Sequence, residues 1–172
     1  MTIHDALRDL EQAFGGAWPK VMARELARTL CAGLMDLPVA SLLARSNAQL
    51  PPDIAAQLPR LEARAKQGEP VAYLLGRQVF CGRSFIVHRH TLIPRPETEL
   101  LVREAQKRIQ PNSTVLDVGA GSGCIALTLA LESQAQRIIA SDVRIRTLAV
   151  AQKNAERLLS TAQRKRLSFL RT

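Results

Sequence analysis

Gly119, Gly121 and Gly123 alternate with Ala120 and Ser122 between the apolar run Val115-Leu116-Asp117-Val118 and the helix formers from Cys124 to Leu131. Such a pattern predicts a strand, a tight turn and a buried helix. Glycine tolerates positive φ and has no Cβ, so backbone here can pass close to a bound group. Two carboxylates flank the turn. Asp117 stands two residues before the first glycine, and Asp142 closes the next apolar segment, 19 residues beyond Gly123. An acid at that distance suits a ribose diol, which its oxygens can accept from.

Which ligand the turn holds is narrowed by what the spacing lacks. A P-loop requires Lys-Ser/Thr after its last glycine, and Cys124-Ile125 stands there. A dinucleotide turn requires G-x-G-x-x-G, whereas this chain has G-x-G-x-G with cysteine at the sixth position. Asp117, close to the ligand, disfavours a pyrophosphate and favours positive charge. S-adenosylmethionine, with its ammonium and sulfonium, meets that requirement. Glycines and aspartates also make turns with no ligand at all; the Asp142 spacing favours the cofactor reading over that one.

Other candidates carry less chemistry. His88 and His90, at alternate positions of an expected strand, would share a face, but no third metal ligand stands near them and no metal site is expected. Cys31, Cys81 and Cys124 are odd in number and lack C-x-x-C spacing, and are expected as reduced core thiols. Cys124, at the helix entrance, has no visible partner base. No catalytic residue is assigned.

The elements that position these residues begin with a helical region. Thr2 caps a helix carrying Ile3, Leu7, Leu10 and Phe14, stopped by Gly15-Gly16. A second helix follows Pro19 with Met22, Leu26, Leu30 and Leu34 on one face. A short segment over 39–44 and a helix from Asp53 to Lys66, closed by Gly68, complete a small bundle. Gln78–Phe80 and Ser84–Val87 flank Cys81-Gly82-Arg83 as a hairpin, taken as a linker. Pro94 and Pro96 fix an extended entry, and the acidic residues Glu97 and Glu99 occupy the first turn of a helix running to about Ile109, with Leu101, Ala105 and Arg108 or Ile109 inward. Strand, turn, helix, strand (Arg137–Ser141) and helix (Thr147–Leu159) then alternate, and a third strand starts at Leu167; this order means a parallel sheet with helical crossovers.

With 172 residues, 47% of them hydrophobic, the chain can build a core. It has no apolar run long enough to span a bilayer and its N-terminus does not resemble a secretory signal, so no membrane role and a cytoplasmic location are expected. The net charge of +9 and pI near 10.5 raise nucleic acid as an alternative partner. From Pro111 on there are nine basic and four acidic residues, and Arg164, Lys165, Arg166 and Arg171 supply much of the excess. Only 3% aromatic residues leave few platforms for stacking bases, which weighs against that alternative.

Three separated stretches together resemble the PrmC/HemK family, the glutamine methyltransferases that modify peptide chain release factors. They are Gly68-Glu69-Pro70-Val71-Ala72-Tyr73-Leu74-Leu75-Gly76, Thr91-Leu92-Ile93-Pro94-Arg95-Pro96-Glu97-Thr98-Glu99, and the glycine turn with Asp142. The first two are the more specific. The resemblance implies an α/β protein: an N-terminal helical bundle followed by the first half of a Rossmann-like class I methyltransferase parallel sheet. It implies a substrate-recognition domain over 1–75, a hairpin linker over 76–93 and a partial S-adenosylmethionine-binding domain over 94–172. Gly119, Ala120, Gly121, Ser122 and Gly123 would hold the methionine part of S-adenosyl-L-methionine, and Asp142 the ribose. The implied partner is a release factor, modified at the glutamine of its Gly-Gly-Gln motif. The family's Asn-Pro-Pro-Tyr motif, which grips the reacting amide, does not occur in these residues. The expectation is therefore the N-terminal part of such an enzyme, inactive by itself. The alternative is a basic nucleic-acid binding module or a nucleic-acid methyltransferase fragment; an NAD-dependent oxidoreductase ranks below both.

Overall fold

The computed structural model describes all residues from Met1 to Thr172. The chain divides into two compact units, Met1–Leu75 and Gly76–Thr172.

The first unit is helical: α1 (Ile3–Gly15), α2 (Lys20–Met35), α3 (Val39–Ala44), α4 (Pro52–Ala55), α5 (Leu58–Lys66) and α6 (Val71–Leu75). Thr2 begins α1 through a capping box: its Oγ1 accepts the Asp5 N–H at 3.2 Å and the Asp5 carboxylate accepts the Thr2 N–H at 2.9 Å. Ile3, Ala6, Leu10, Ala13 and Phe14 then face the core. On α2 the buried stripe is Ala23, Ala27, Leu30 and Cys31, whereas Met22 is 46% exposed. Of the expected face Leu30 is buried and Leu26 and Leu34 pack against the core, so Met22 alone is displaced outward while the alanines take the closest approach. The single helix expected over 53–66 is two. Pro59 lacks an N–H and its ring would clash with the Ala55 carbonyl, so the chain breaks after α4 and uses Pro59 in the first turn of α5.

Gly68 adopts φ +75° and its N–H donates to the Ala65 carbonyl at 2.9 Å, closing α5. Glu69 then receives two hydrogen bonds from the Arg64 guanidinium, each 2.6 Å, and Arg64 also donates to the Tyr73 carbonyl at 3.0 Å. The Gly68–Gly76 stretch is therefore a helix stop, a fork-to-carboxylate clasp and a further short helix, α6.

The second unit opens with an antiparallel hairpin, β1 (Arg77–Phe80) and β2 (Arg83–Ile86). It is no free connector: Phe80 and Phe85 are buried edge-to-face at 6.1 Å within the core of this unit. Beyond β2 the chain leaves the strand, contrary to the expectation for His88 and His90. Thr91 turns it, its N–H and Oγ1 donating to the His88 carbonyl at 2.8 and 3.0 Å. Helix α7 (Pro96–Gln106) starts with proline in its first turn and places Val102 inward, while Leu101 is 57% exposed. Glu99 of α7 accepts the Cys81 N–H at 2.9 Å, holding the hairpin turn in which Cys81 has φ +46°.

Then follow β3 (Thr114–Val118), α8 (Cys124–Glu132), β4 (Arg137–Asp142), α9 (Ile145–Leu158), α10 (Thr161–Arg164) and β5 (Leu167–Arg171). The strands are parallel in the order β3-β4-β5, with Leu116 opposite Ile139 and Ile139 opposite Ser168. This is the α/β arrangement expected of the alternating pattern. Helices α7, α8 and α9 contribute Val102, Leu127, Leu129 and Ala155 to a core shared with Ile138 and Ala140 of the sheet. On the other face Leu116 and Val118 remain exposed.

Candidate functional site: the glycine turn between β3 and α8

Residues 119–123 leave the carboxyl end of β3, where ligands of parallel sheets bind. Gly119, Gly121 and Gly123 have φ of +76°, +59° and +81°, the left-handed region that side chains disfavour. The Gly119 and Ala120 N–H groups both donate to the Ser141 carbonyl, at 2.9 and 2.8 Å, pinning the turn to the end of β4. A Cβ at Gly119 would meet nothing within 4 Å, so the backbone there faces open space. At Gly123 a Cβ would lie 2.7 Å from Leu127 Cδ1 and 3.1 Å from Ala151 Cβ; this glycine serves packing.

The open space is a cavity of about 380 Å³, within the range of small-molecule sites. Gly119, Gly121 and Asp142 line it together. Ala120, Ser122 and Gly123, also expected at the site, are turned into the protein and are buried. Seven further lining residues were not expected at the site: Val118 at the end of β3, and His90, Leu92, Val143, Arg144, Thr147 and Thr172. Their signal was weak because they come from four separated segments. Thr147 ties two of these together, its Oγ1 donating to the His90 carbonyl at 2.8 Å.

Asp142 Oδ2 accepts the Gly121 N–H at 3.2 Å and Oδ1 accepts the Arg144 N–H at 2.9 Å. Each oxygen keeps a lone pair for a ligand hydroxyl, and the backbone bonds fix the carboxylate's direction. Asp117 behaves otherwise than expected. It is buried behind the turn and is no part of the cavity wall; its Oδ2 accepts the Ala126 N–H in the first turn of α8, at 3.1 Å. Burial raises its pKa, with Asp142 adding to the effect. The negative charge at the cavity is that of Asp142.

The remaining candidates are placed plainly. Burial pushes the Cys124 thiol up to about 11, which removes its nucleophilic character near neutral pH. Cys31 is raised to about 11 by the same cause, and Cys81 is half-buried in the hairpin turn instead of in a core. The His88 and His90 rings stack edge-to-face at 5.2 Å. In the basic terminal run, Arg166 donates to the carbonyls of Ala130 at 2.7 Å and Ala135 at 2.8 Å. That cation serves the end of α8.

A parallel sheet with helical crossovers, carrying a glycine turn beside a strand-end carboxylate, has the fold of a class I methyltransferase domain in part. Residues 96–167 match the methyltransferase small domain, and residues 5–76 match the PrmC N-terminal domain. The release factor glutamine methyltransferase of Neisseria gonorrhoeae is 42% identical over 80% of this chain and 49% of its own length. That of Cereibacter sphaeroides is 41% identical over 92% of this chain and 56% of its own. A solved structure, TYW2 of P. horikoshii in complex with MeSAdo, aligns at 18% identity with a TM-score of 0.49, over 72% of this chain and 50% of that one. The chain belongs to the PrmC/HemK family of release factor glutamine methyltransferases. It spans about half the length of the curated relatives it matches.

Proposed function

We propose that this chain supplies the substrate-recognition helices and the cofactor half of an S-adenosylmethionine-dependent methyltransferase that modifies the glutamine of the Gly-Gly-Gln motif in peptide chain release factors. The observation that carries this reading is the open left-handed backbone at Gly119 and Gly121, facing a cavity beside the fixed carboxylate of Asp142. Gly119 and Gly121 would admit the methionine part of the cofactor, Asp142 would accept from its ribose hydroxyls, and the Asp142 charge favours a cationic ligand. S-adenosylmethionine bound there supplies an electrophilic methyl group.

No residue of the cavity wall is assigned a role at the reacting amide. A glutamine amide nitrogen is a poor nucleophile, its lone pair delocalised into the carbonyl, and its reaction depends on acceptors that align it. With no Asn-Pro-Pro-Tyr among these residues, the 172 residues alone should transfer no methyl group. The helical unit is assigned to recognition of the release factor, in the cytoplasm, with its likeness to the PrmC N-terminal domain as support.

Incubation with a labelled methyl donor and a Gly-Gly-Gln release factor should give no label above background. A chimaera completed with the C-terminal half of the Neisseria relative should label the factor, and mutation of the acceptor glutamine should abolish it. Labelling by the 172 residues themselves would mean that the catalytic groups lie elsewhere. The nucleic-acid alternative draws on the +9 charge, yet Arg166 is committed to carbonyls of its own unit. Tight, steeply salt-dependent RNA binding together with failure of the chimaera would favour that alternative.

A further inference from the structure

Asn154 is fully buried on α9, in a unit whose other interior contacts are mostly apolar. Its amide is used on two sides. Oδ1 accepts the Ile86 N–H at 2.7 Å, and Nδ2 donates to the Ile86 carbonyl at 3.0 Å, so the end of β2 is clasped in both directions. The same Nδ2 donates to the Ser122 carbonyl at 2.9 Å, inside the glycine turn. In a helix continued backwards, the Ser122 carbonyl would accept from Ala126; that N–H is taken by Asp117 instead. The Ser122 carbonyl is left for Asn154.

We infer that Asn154 is a positioning residue for cofactor binding, acting through the Ser122 carbonyl on the peptide units of Gly121 and Gly123. The inference rests on the reading of the turn as the cofactor site. Three glycines in left-handed conformations are a backbone with many alternatives, and a turn free to sample them would hold a ligand poorly. Besides Asp142, which accepts the Gly121 N–H, two side chains limit that freedom. Asp117 fixes the start of α8 from the sheet side, and Asn154 fixes the turn's carbonyl from α9. Only a side chain with both an acceptor and two donor hydrogens on one short stem makes all three bonds. Aspartate lacks the donors, leucine lacks every polar group, and glutamine is one carbon too long for a packed site. The clasp also joins the turn to Ile86 of β2, 68 residues from Asn154, so hairpin and turn hold their relation as one piece.

Asn154→Leu in the full chain tests the inference, with Leu159→Ala as the comparison: Leu159 is buried in the core of the same unit and its side chain has no polar atom to bond the turn. Amide hydrogen exchange should quicken tenfold or more at Gly121 and Gly123 in Asn154→Leu, relative to the β4 amides, and should stay in proportion in Leu159→Ala. The affinity for S-adenosylhomocysteine should fall at least tenfold in Asn154→Leu and stay within twofold in Leu159→Ala, compared at equal fractions folded. Should Asn154→Leu not fold, Asn154→Asp keeps the shape and replaces both donor hydrogens by an acceptor oxygen facing the Ile86 and Ser122 carbonyls, with the same outcomes expected. Turn exchange unchanged relative to β4 would overturn the positioning role. Equal affinity losses in the two variants would reduce Asn154 to a stabilising contact. Absence of S-adenosylhomocysteine binding by the parent chain would instead sink the cofactor reading, leaving the exchange ratio to decide the role of Asn154.

Discussion

At Asp117 of β3 a buried carboxylate lies behind the glycine turn and accepts the Ala126 N–H; burial outweighs that hydrogen bond and leaves its pKa raised. The native state therefore holds its proton to higher pH than the unfolded chain, so this group makes stability fall as pH rises from the ordinary aspartate range, about 3.9, through the raised native value. Asp117→Asn removes that slope. The difference in unfolding free energy between variant and parent should grow in the variant's favour from about pH 3.5 to pH 7 in denaturant titrations, whatever its offset at the acid end. The glycines of the same turn divide by role. Gly119→Ala meets no neighbour and should cost only the left-handed strain, about 1–2 kcal/mol, while placing a methyl in the cavity and weakening S-adenosylhomocysteine binding. Gly123→Ala adds a collision with Leu127 and Ala151 and should cost about 2–4 kcal/mol. A stability loss at Gly119 as large as that at Gly123 would mean that the space above Gly119 is not open. Cys31 and Cys124, both raised by burial, should resist a thiol reagent at pH 7.5 until the chain unfolds.

Among the elements, α8 is apolar on every side and buried, so its ends depend on groups brought from elsewhere. Asp117 serves its first turn, and Arg166, just before β5, donates to the carbonyls of Ala130 in its last turn and of Ala135 just beyond it. Arg166→Ala should destabilise the second unit by about 1.5–3 kcal/mol, the range for hydrogen bonds to a charged donor, whereas Lys165→Ala should change little. Thermal unfolding followed by circular dichroism would separate them, and equal effects would show that charge, not the carbonyl contacts, matters there. The two stretches most specific to the family also have work as element joints. Arg64 and Glu69 fasten α5 to α6, and Glu99 fastens α7 to the hairpin turn. These contacts give the residue types a structural cause that pattern reading had left blank.

On the scale of the molecule, two separate cores account for the two units. One runs from Ile3 to Leu74 and the other from Phe80 to Leu159, with no buried residue in common. The sheet of the second unit shows Leu116 and Val118 on its uncovered face and presents β3 at an edge. Edges and bare faces lower local stability and raise the chance of association. Limited proteolysis should therefore cut first after Pro111 and leave a resistant fragment containing residues 1–75. If the later residues survive longer, the sheet has found a covering partner, and a change of mass with protein concentration would show whether that partner is a second copy.

Local chemistry was legible from residue order alone. The cap at Thr2, the stop at Gly68, the strand-turn-helix around Gly119 and the alternation that makes a parallel sheet all depend on neighbours within a few residues, where φ preference and periodicity act. What the chain order could not carry was which face each helix buries and where a polar side chain finds its partner. Met22 and Leu101 satisfy a helical period yet stay exposed, because burial is decided by the neighbour's shape and alanines let helices approach. Asp117, Asn154, Thr147 and Arg166 find partners 9 to 68 residues away. A hydrogen bond needs contact within about 3 Å, and only the folded chain brings such distant groups together, turning Asp117 from a ligand's counter-charge into the anchor of α8.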